Sequence, residues 1–219
     1  MACDHSAYHS GSANYLREER ELRLVVVCDE CGAEQVELER VAYAPNARRV
    51  GGQLAELTAR ELGLAGEQIA RVRFAALICG VGRAQIPPEV LNKQGPLSEE
   101  EWILVRRHPE LGAALFNKTS FDDIREWILA HRERPDGLGY PRGLVAEQIP
   151  LEARILSVTE AYVAMRTDRP YQLARDHEDA CAELSRCAGS QFDAAVVDAF
   201  LRACAQRQRQ PVHAVHAAS

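Results

Sequence analysis

The chain has 219 residues, 47% hydrophobic and 26% charged, with a formal net charge of -6 and a pI near 5.7. That is long enough to bury one substantial core and too acidic for the broad basic surface of a nucleic-acid module. No apolar run reaches bilayer-crossing length, and the N-terminus lacks the basic, apolar, small-residue order of a secretory signal. A cytoplasmic protein with no membrane or nucleic-acid partner is expected, and a homo-oligomer is left open. The seven cysteines are an odd number. Cys79, Cys181, Cys187 and Cys204 stand in apolar or helical contexts, where a reduced cysteine behaves as a small hydrophobe, so no disulfide framework is read.

The sequence divides near residue 45, giving segments 1–45, 46–207 and 208–219. "ELRLVVV" (21–27) and "EQVELERVAY" (34–43) are rich in strand formers, and the second alternates apolar with polar residues. Between them "CDECG" reads as a hairpin turn carrying Cys28 and Cys31. Upstream, "ACDHS" offers Cys3 and His5, with His9 the rival for the histidine position. A C-x-H pair and a C-x-x-C pair supply the four thiolate and imidazole ligands that tetrahedral structural zinc takes. A hairpin this small has almost no core of its own, and a metal supplies the missing stability. One structural zinc held by Cys3, His5, Cys28 and Cys31 is therefore expected; the alternative is a pair of thiols beside a frayed tail.

From residue 50 the pattern is helical. Leu54, Leu57 and Leu62 recur at helical spacing, and Ile69, Val72, Ala76 and Leu77 continue on one face of a second helix. Ser98 with Glu101 forms a capping box, Pro109 marks a break or a new first turn, and Ser120 with Asp123 is expected to open "FDDIREWILAHRE". The segment 133–150, with three prolines and three glycines, reads as a loop before the helical "LEARILSVTEAYVAM". Asp176 and Asp193 are expected to cap the last two helices. Residues 208–219, with His213 and His216, are expected to be a disordered tail.

The order of "IPPEVLNKQGPLSEEEW" (86–102), "RRHPELGAALF" (106–116), "HRERPDGLGYPRGL" (131–144), "IPLEARILSV" (149–158), "TDRPY" (167–171) and "GSQFD" (189–193) resembles the HD-GYP domain. This is an all-helical branch of the HD metal-dependent phosphohydrolases, associated with hydrolysis of cyclic di-GMP. The resemblance implies a mainly α fold: an HD-GYP helical bundle preceded by a small zinc-ribbon-like β-hairpin. It also implies a site, and this chain departs from it. In "ALICGVGR" (76–83), Cys79 and Gly80 stand where the family carries its His-Asp pair, and Arg83 stands for a lysine. His108 matches the histidine of R-x-H-P. Of two adjacent histidines before the GYP loop only His131 is kept, with Arg132 following it, and Glu160 replaces an aspartate. The stretch 46–60 holds no histidine where an early ligand is expected.

Hydrolysing a phosphodiester through bound metal requires several carboxylate and imidazole ligands to hold ions that activate water and neutralise phosphate oxygens. The remnant positions Cys79, Gly80, Arg83, His108, His131, Arg132 and Glu160 supply too few, so no binuclear catalytic metal is expected. Arg132 adds a charge that stays protonated, and it is expected to pair with Glu160 or Glu133 across the old site. The loop keeps Asp136, Gly137, Gly139, Tyr140 and Pro141, and the resemblance gives it partner contacts and a place beside a substrate pocket. Arg169 matches an arginine that meets ligand phosphate, while its companion basic position is Gln172. Three readings follow. The first is a catalytically degenerate HD-GYP-like signalling protein binding a cyclic dinucleotide or a protein partner. The second is a metal-dependent phosphodiesterase with an unusual site using Cys79, His108, His131 and Glu160. The third is a zinc-hairpin adaptor with a helical scaffold.

Overall fold

The structure is a computed structural model that describes residues 8–16, 21–28, 34–39, 45–116, 121–167 and 173–209, with side chains placed for 48–116, 121–167 and 173–207. Ahead of the helices, strands β1 (Tyr8–Leu16), β2 (Glu21–Cys28) and β3 (Glu34–Glu39) form an antiparallel sheet in the order β1-β2-β3. Val25 pairs with Val36 across β2 and β3, and Ala13 with Leu24 across β1 and β2. β1 has no counterpart among the expected elements: "YHSGSANYL" carries Gly, Ser and Asn, which are poor strand formers, and its strand conformation accompanies pairing along β2. Cys3, His5 and Cys31 lie outside the described residues, as does the side chain of Cys28. The tail 210–219 lies outside them too.

The helices are α1 (Pro45–Glu61), α2 (Gly66–Ile78), α3 (Pro88–Leu91), α4 (Glu99–Arg106), α5 (His108–Ala114), α6 (Asp122–Ala130), α7 (Leu151–Met165), α8 (His177–Arg186) and α9 (Ala194–Arg209). Their ends follow local chemistry. Ser98 and Glu101 form the expected capping box on α4, with Ser98 N donating to Glu101 Oε2 at 2.6 Å and Glu101 N to Ser98 Oγ at 3.3 Å. Pro109 sits in the first turn of α5, where its missing N–H costs nothing. Asp176 accepts from Asp179 N at 2.8 Å to cap α8, and Asp193 accepts from Val196 N at 3.0 Å at the start of α9. The capping box expected of Ser120 with Asp123 is not found at the start of α6. Phe121 holds the N-cap position of α6 without a side-chain cap, and Asp123 instead accepts from Arg71 Nε on α2 at 2.6 Å. A charged fork outcompetes a backbone amide for that carboxylate; Ser120 lies outside the described residues.

Helix α7 is the centre of the bundle and packs against α1, α2, α6, α8 and α9. Ala153, Ile155, Leu156, Val158, Thr159, Tyr162 and Val163 are all buried on it. The buried face of α2 is Ile69, Val72, Ala75 and Ile78, so the expected residues Ala76 and Leu77 flank the core face and do not form it. Cys79, Cys181, Cys187 and Cys204 are free thiols, and all but Cys181 are buried. Among the described residues no helix is long and apolar enough to cross a membrane.

One close approach positions the site. The end of α2 runs into a 3-10 turn, Val81–Gln85, that lies against α5. A Cβ at Gly82 would run into the carbonyl of His108 and the amide of Gly112, so only glycine lets that turn bring Arg83 toward α7. Because Leu156 is fully buried in the middle of the bundle, Leu156→Ala is expected to cost about 2–5 kcal/mol by lost transfer energy and residual cavity. Urea denaturation followed by circular dichroism measures this.

Candidate functional site

Four elements converge on Glu160 at the middle of α7. Arg83, from the 3-10 turn after α2, places Nη2 2.5 Å from Glu160 Oε1. Arg132, just beyond α6, places Nη2 2.6 Å from Glu160 Oε2. His131, the last residue before it, has Nε2 3.5 Å from the same Oε2. His108, at the first residue of α5, closes the group with Nε2 3.2 Å from His131 Nε2. The pairing of Arg132 goes to Glu160, not to Glu133.

The two imidazoles are oriented by backbone. His108 Nδ1 lies 2.8 Å from Val105 O and His131 Nδ1 lies 2.5 Å from Ile128 O. Each Nδ1 must carry a proton to donate to its carbonyl, which leaves each Nε2 with a lone pair. The short Nε2–Nε2 contact then needs a further proton, because three donor positions face two neutral rings with one N–H each. Burial works against that proton. It lowers His108 to about 2, helped by the neighbouring His131 and by Arg83 and Arg132. It lowers His131 to about 4, with Arg132 adding to the effect and Glu160 opposing it.

Burial alone would raise the Glu160 carboxyl, but Arg132 and Arg83 hold it well below the usual carboxylate range. Cys79 is buried beside this group, and burial pushes its thiol up to about 12, so it stays protonated and is a poor nucleophile at neutral pH. Gly80 contributes no side-chain atom; a Cβ there would lie 3.7 Å from Arg83 Nη1 and 3.8 Å from Glu160 Oε1. Arg48 on α1, which sequence inspection for histidines passes over, lines the same cleft as Cys79, Gly80, Arg83 and Glu160. Its signal was its position in the stretch where an early ligand is expected.

The loop 133–145 covers the far side. Buried Glu133 accepts from Arg142 N at 2.6 Å and from Leu144 N at 2.9 Å, strapping both ends of the loop together. Asp136 pairs with Arg134, at 2.9 Å from its Nε, and accepts from Leu138 N at 3.1 Å. It therefore shapes the turn from its exposed side. A Cβ at Gly139 would collide with the backbone of Glu133 and Arg134, which explains glycine there. Tyr140 precedes Pro141 across a cis peptide bond. Its ring meets His108 edge-on at 6.2 Å, and the guanidinium of Arg106 lies 5.8 Å from the ring centroid. Arg169 and Gln172 lie outside the described residues.

This donor set does not fit a pair of catalytic metal ions. Both oxygens of Glu160 are paired with guanidinium groups, and position 80 offers no side-chain oxygen. Among the described residues no group of three or more His, Cys, Asp or Glu side chains is disposed to hold a metal.

The HD-domain profile matches residues 32–196. The chain belongs to the HD-domain family. It is 38% identical over 187 residues to the cyclic di-GMP phosphodiesterase response regulator RpfG of Xanthomonas campestris, covering 80% of this chain and 50% of that protein. It is 32% identical over 154 residues to a cyclic di-GMP phosphodiesterase of Thermotoga maritima, covering 69% of this chain and 42% of that protein. A 3'3'-cGAMP-specific phosphodiesterase of Vibrio cholerae is 29% identical over 149 residues, covering 67% of this chain and 28% of that protein. The chain thus spans half or less of the length of these relatives. Among solved structures, Bd1817, an HDG"Y"P protein from Bdellovibrio bacteriovorus, superposes with a TM-score of 0.60 at 18% identity, covering 74% of this chain and 52% of that one. The fold is that of these HD domains.

The histidine pair has a measurable consequence. Both rings bind protons less readily in the folded chain than at the ordinary value of 6.5. As pH falls below that value, the unfolded chain takes up protons that the folded chain refuses, so stability falls with pH. The loss accrues from pH 6.5 down to about 4 for His131 and further for His108. The thermal midpoint is expected to drop between pH 7.5 and pH 5, with a shallower slope in His108→Asn. A pH series of melting curves on both proteins checks it.

Proposed function

We propose that this chain is an HD-GYP-type module that has lost hydrolysis and acts in signalling by binding, with a cyclic dinucleotide or a protein partner as its ligand. The observation that carries the reading is Glu160 clamped between Arg83 and Arg132. A guanidinium is permanently charged and has no open coordination position, so it cannot generate the hydroxide that a metal-bound water supplies. The Asp136, Gly139, Tyr140 and Pro141 loop, with Arg169 after α7, is the proposed ligand face. Leu138 at the loop tip is 75% exposed, which suits contact with a partner.

A second reading has its own support: a phosphodiesterase with a mononuclear site. Relatives of this chain bear the names of cyclic di-GMP and cGAMP phosphodiesterases, which favours this reading at the level of the family. In the structure, His108 Nε2, His131 Nε2 and Glu160 Oε2 face one another, and the histidine pair lacks a proton for its contact. One ion there would require Arg132 to leave Glu160. A structural zinc at Cys3, His5, Cys28 and Cys31 is proposed separately for the N-terminal segment, which leaves the adaptor reading as a variant of the first.

Turnover and metal content test these readings together. The purified chain is expected to hydrolyse cyclic di-GMP no faster than background with manganese or iron supplied, and to carry one zinc per chain by elemental analysis. The zinc is expected to be lost in Cys28→Ser and kept in His131→Ala. Metal-dependent cleavage abolished by His131→Ala would establish the second reading, and a chain purified without chelator that holds no zinc would remove the proposed hairpin site.

A further inference from the structure

Helix α4 carries a stripe of side chains that the site does not use. None of its residues is buried. Glu101 and Val105, four apart, are its partly covered residues and mark the side on which it rests against the bundle. Glu99, Trp102, Ile103 and Arg106 follow the i, i+3, i+4, i+7 spacing of one helical face, which at 3.6 residues per turn lies opposite that side. All four are exposed, Trp102 by 47% and Ile103 by 59%. The outward face of a surface helix is ordinarily polar, so an adjoining tryptophan and isoleucine at its centre mark a contact surface. The guanidinium of Arg106 lies 6.0 Å from the Trp102 ring centroid and 5.8 Å from that of Tyr140, which joins α4 to the loop whose tip exposes Leu138.

The stripe is complementary to itself in reverse. Its end members are an anion and a cation, and both middle members are apolar. Two copies of α4 laid antiparallel about a twofold axis between Trp102 and Ile103 set Trp102 against Ile103 of the partner subunit, and Glu99 against Arg106 of the partner subunit. Every position then meets its complement, as an isologous contact requires. A parallel pairing would oppose like charges. The two end charges are available for such a contact: among the described residues neither Glu99 nor Arg106 enters an ion pair, whereas Glu101 is held by Lys93 at 2.5 Å and Glu100 accepts from Ser98 Oγ at 2.7 Å. Acid in the first turn and base in the last also complement the helix dipole. That does not account for the apolar pair between them.

We infer that α4 is a self-association face on which two copies of this chain pair antiparallel, Glu99 to Arg106 at both ends and Trp102 to Ile103 at the centre. Its eight residues span about 12 Å, too little alone for the roughly 1,200 Å² that a stable interface buries. The dimer is therefore weak and concentration-dependent, and it draws on the neighbouring loop tip at Leu138. It does not depend on whether the site hydrolyses.

Sedimentation velocity of the full chain over a wide range of concentrations tests this. A monomer–dimer equilibrium is expected. Glu99→Arg and Arg106→Glu are each expected to weaken it roughly tenfold, since the exposed pair occurs twice in the contact and attraction becomes repulsion. The two changes together exchange the charges, and the double variant is expected to dimerise as the unmodified chain does, an outcome that a damaged surface would not give. Trp102→Ala is expected to weaken the dimer at least as much as either charge change. Acrylamide quenching of tryptophan is expected to fall as concentration rises, because Trp102 becomes covered while Trp127 is already buried. If a single charge variant fails to fold by circular dichroism, Trp102→Ala and the double variant decide. A chain that stays monomeric at every concentration overturns the inference, as does a dimer that Trp102→Ala leaves intact or that the double variant fails to restore.

Discussion

The buried carboxylate of Glu160, held from two sides by Arg83 and Arg132, is the interaction on which the rest of the site depends. Three separate stretches of chain meet on one side chain: the turn after α2, the end of α6 and the middle of α7. A buried charge without a partner is costly, and removing one member of such a group leaves the others uncompensated. The triplet therefore fixes the relative positions of these elements whatever net energy it contributes. Arg48 of α1 lines the cleft beside it together with Arg83 and Glu160.

The polar groups around the triplet are arranged in the same economical way. Backbone carbonyls at Val105 and Ile128 orient the two imidazoles so that their Nε2 atoms meet, and Tyr140 packs its ring against the outer one. The loop holding Tyr140 is in turn set by Glu133, a buried carboxylate at its start that accepts from the amides of Arg142 and Leu144 near its end. The two hydrogen bonds accepted by Glu133 specify one arrangement of the loop, whereas Arg132 Nε and Glu160 Oε2 are buried without a hydrogen-bond partner. Arg132 connects the two halves directly: its side chain holds Glu160 while its carbonyl accepts from Tyr140 N at 3.2 Å.

Much of this was legible before the structure, and the pattern of what was missed has physical causes. Apolar periodicity placed the helices, since burial of one face is what a 3.6-residue repeat encodes. Ser98, Asp176 and Asp193 act as caps because each has a free amide within reach and no stronger competitor at that atom. Asp123, expected to form a capping box with Ser120, pairs with Arg71, a partner distant in sequence. Arg132 to Glu160 could be foreseen as one of two pairings, but the choice between Glu160 and Glu133 depended on the loop, whose amides already take up Glu133. Arg48 was invisible because a search for ligands looks for imidazole and carboxylate, whereas this cleft is built with guanidinium.

On the proposed reading, guanidinium groups stand in for metal, which divides the chemistry of such a site into a part that survives and a part that cannot. A divalent ion attracts phosphate oxygens and also lowers the pKa of a water bound in an open position. An arginine can do the first, since its planar fork holds two oxygens and its charge is never lost near neutral pH. It cannot do the second, having no vacant orbital for water and no acceptor for its proton. The two buried imidazoles point their Nε2 atoms at each other, 3.2 Å apart. On the proposed reading, a site rebuilt in this way keeps affinity for anions while losing turnover, and the ligand's lifetime in the cleft is then set by dissociation instead of hydrolysis. That is the behaviour a sensor of an anionic ligand requires.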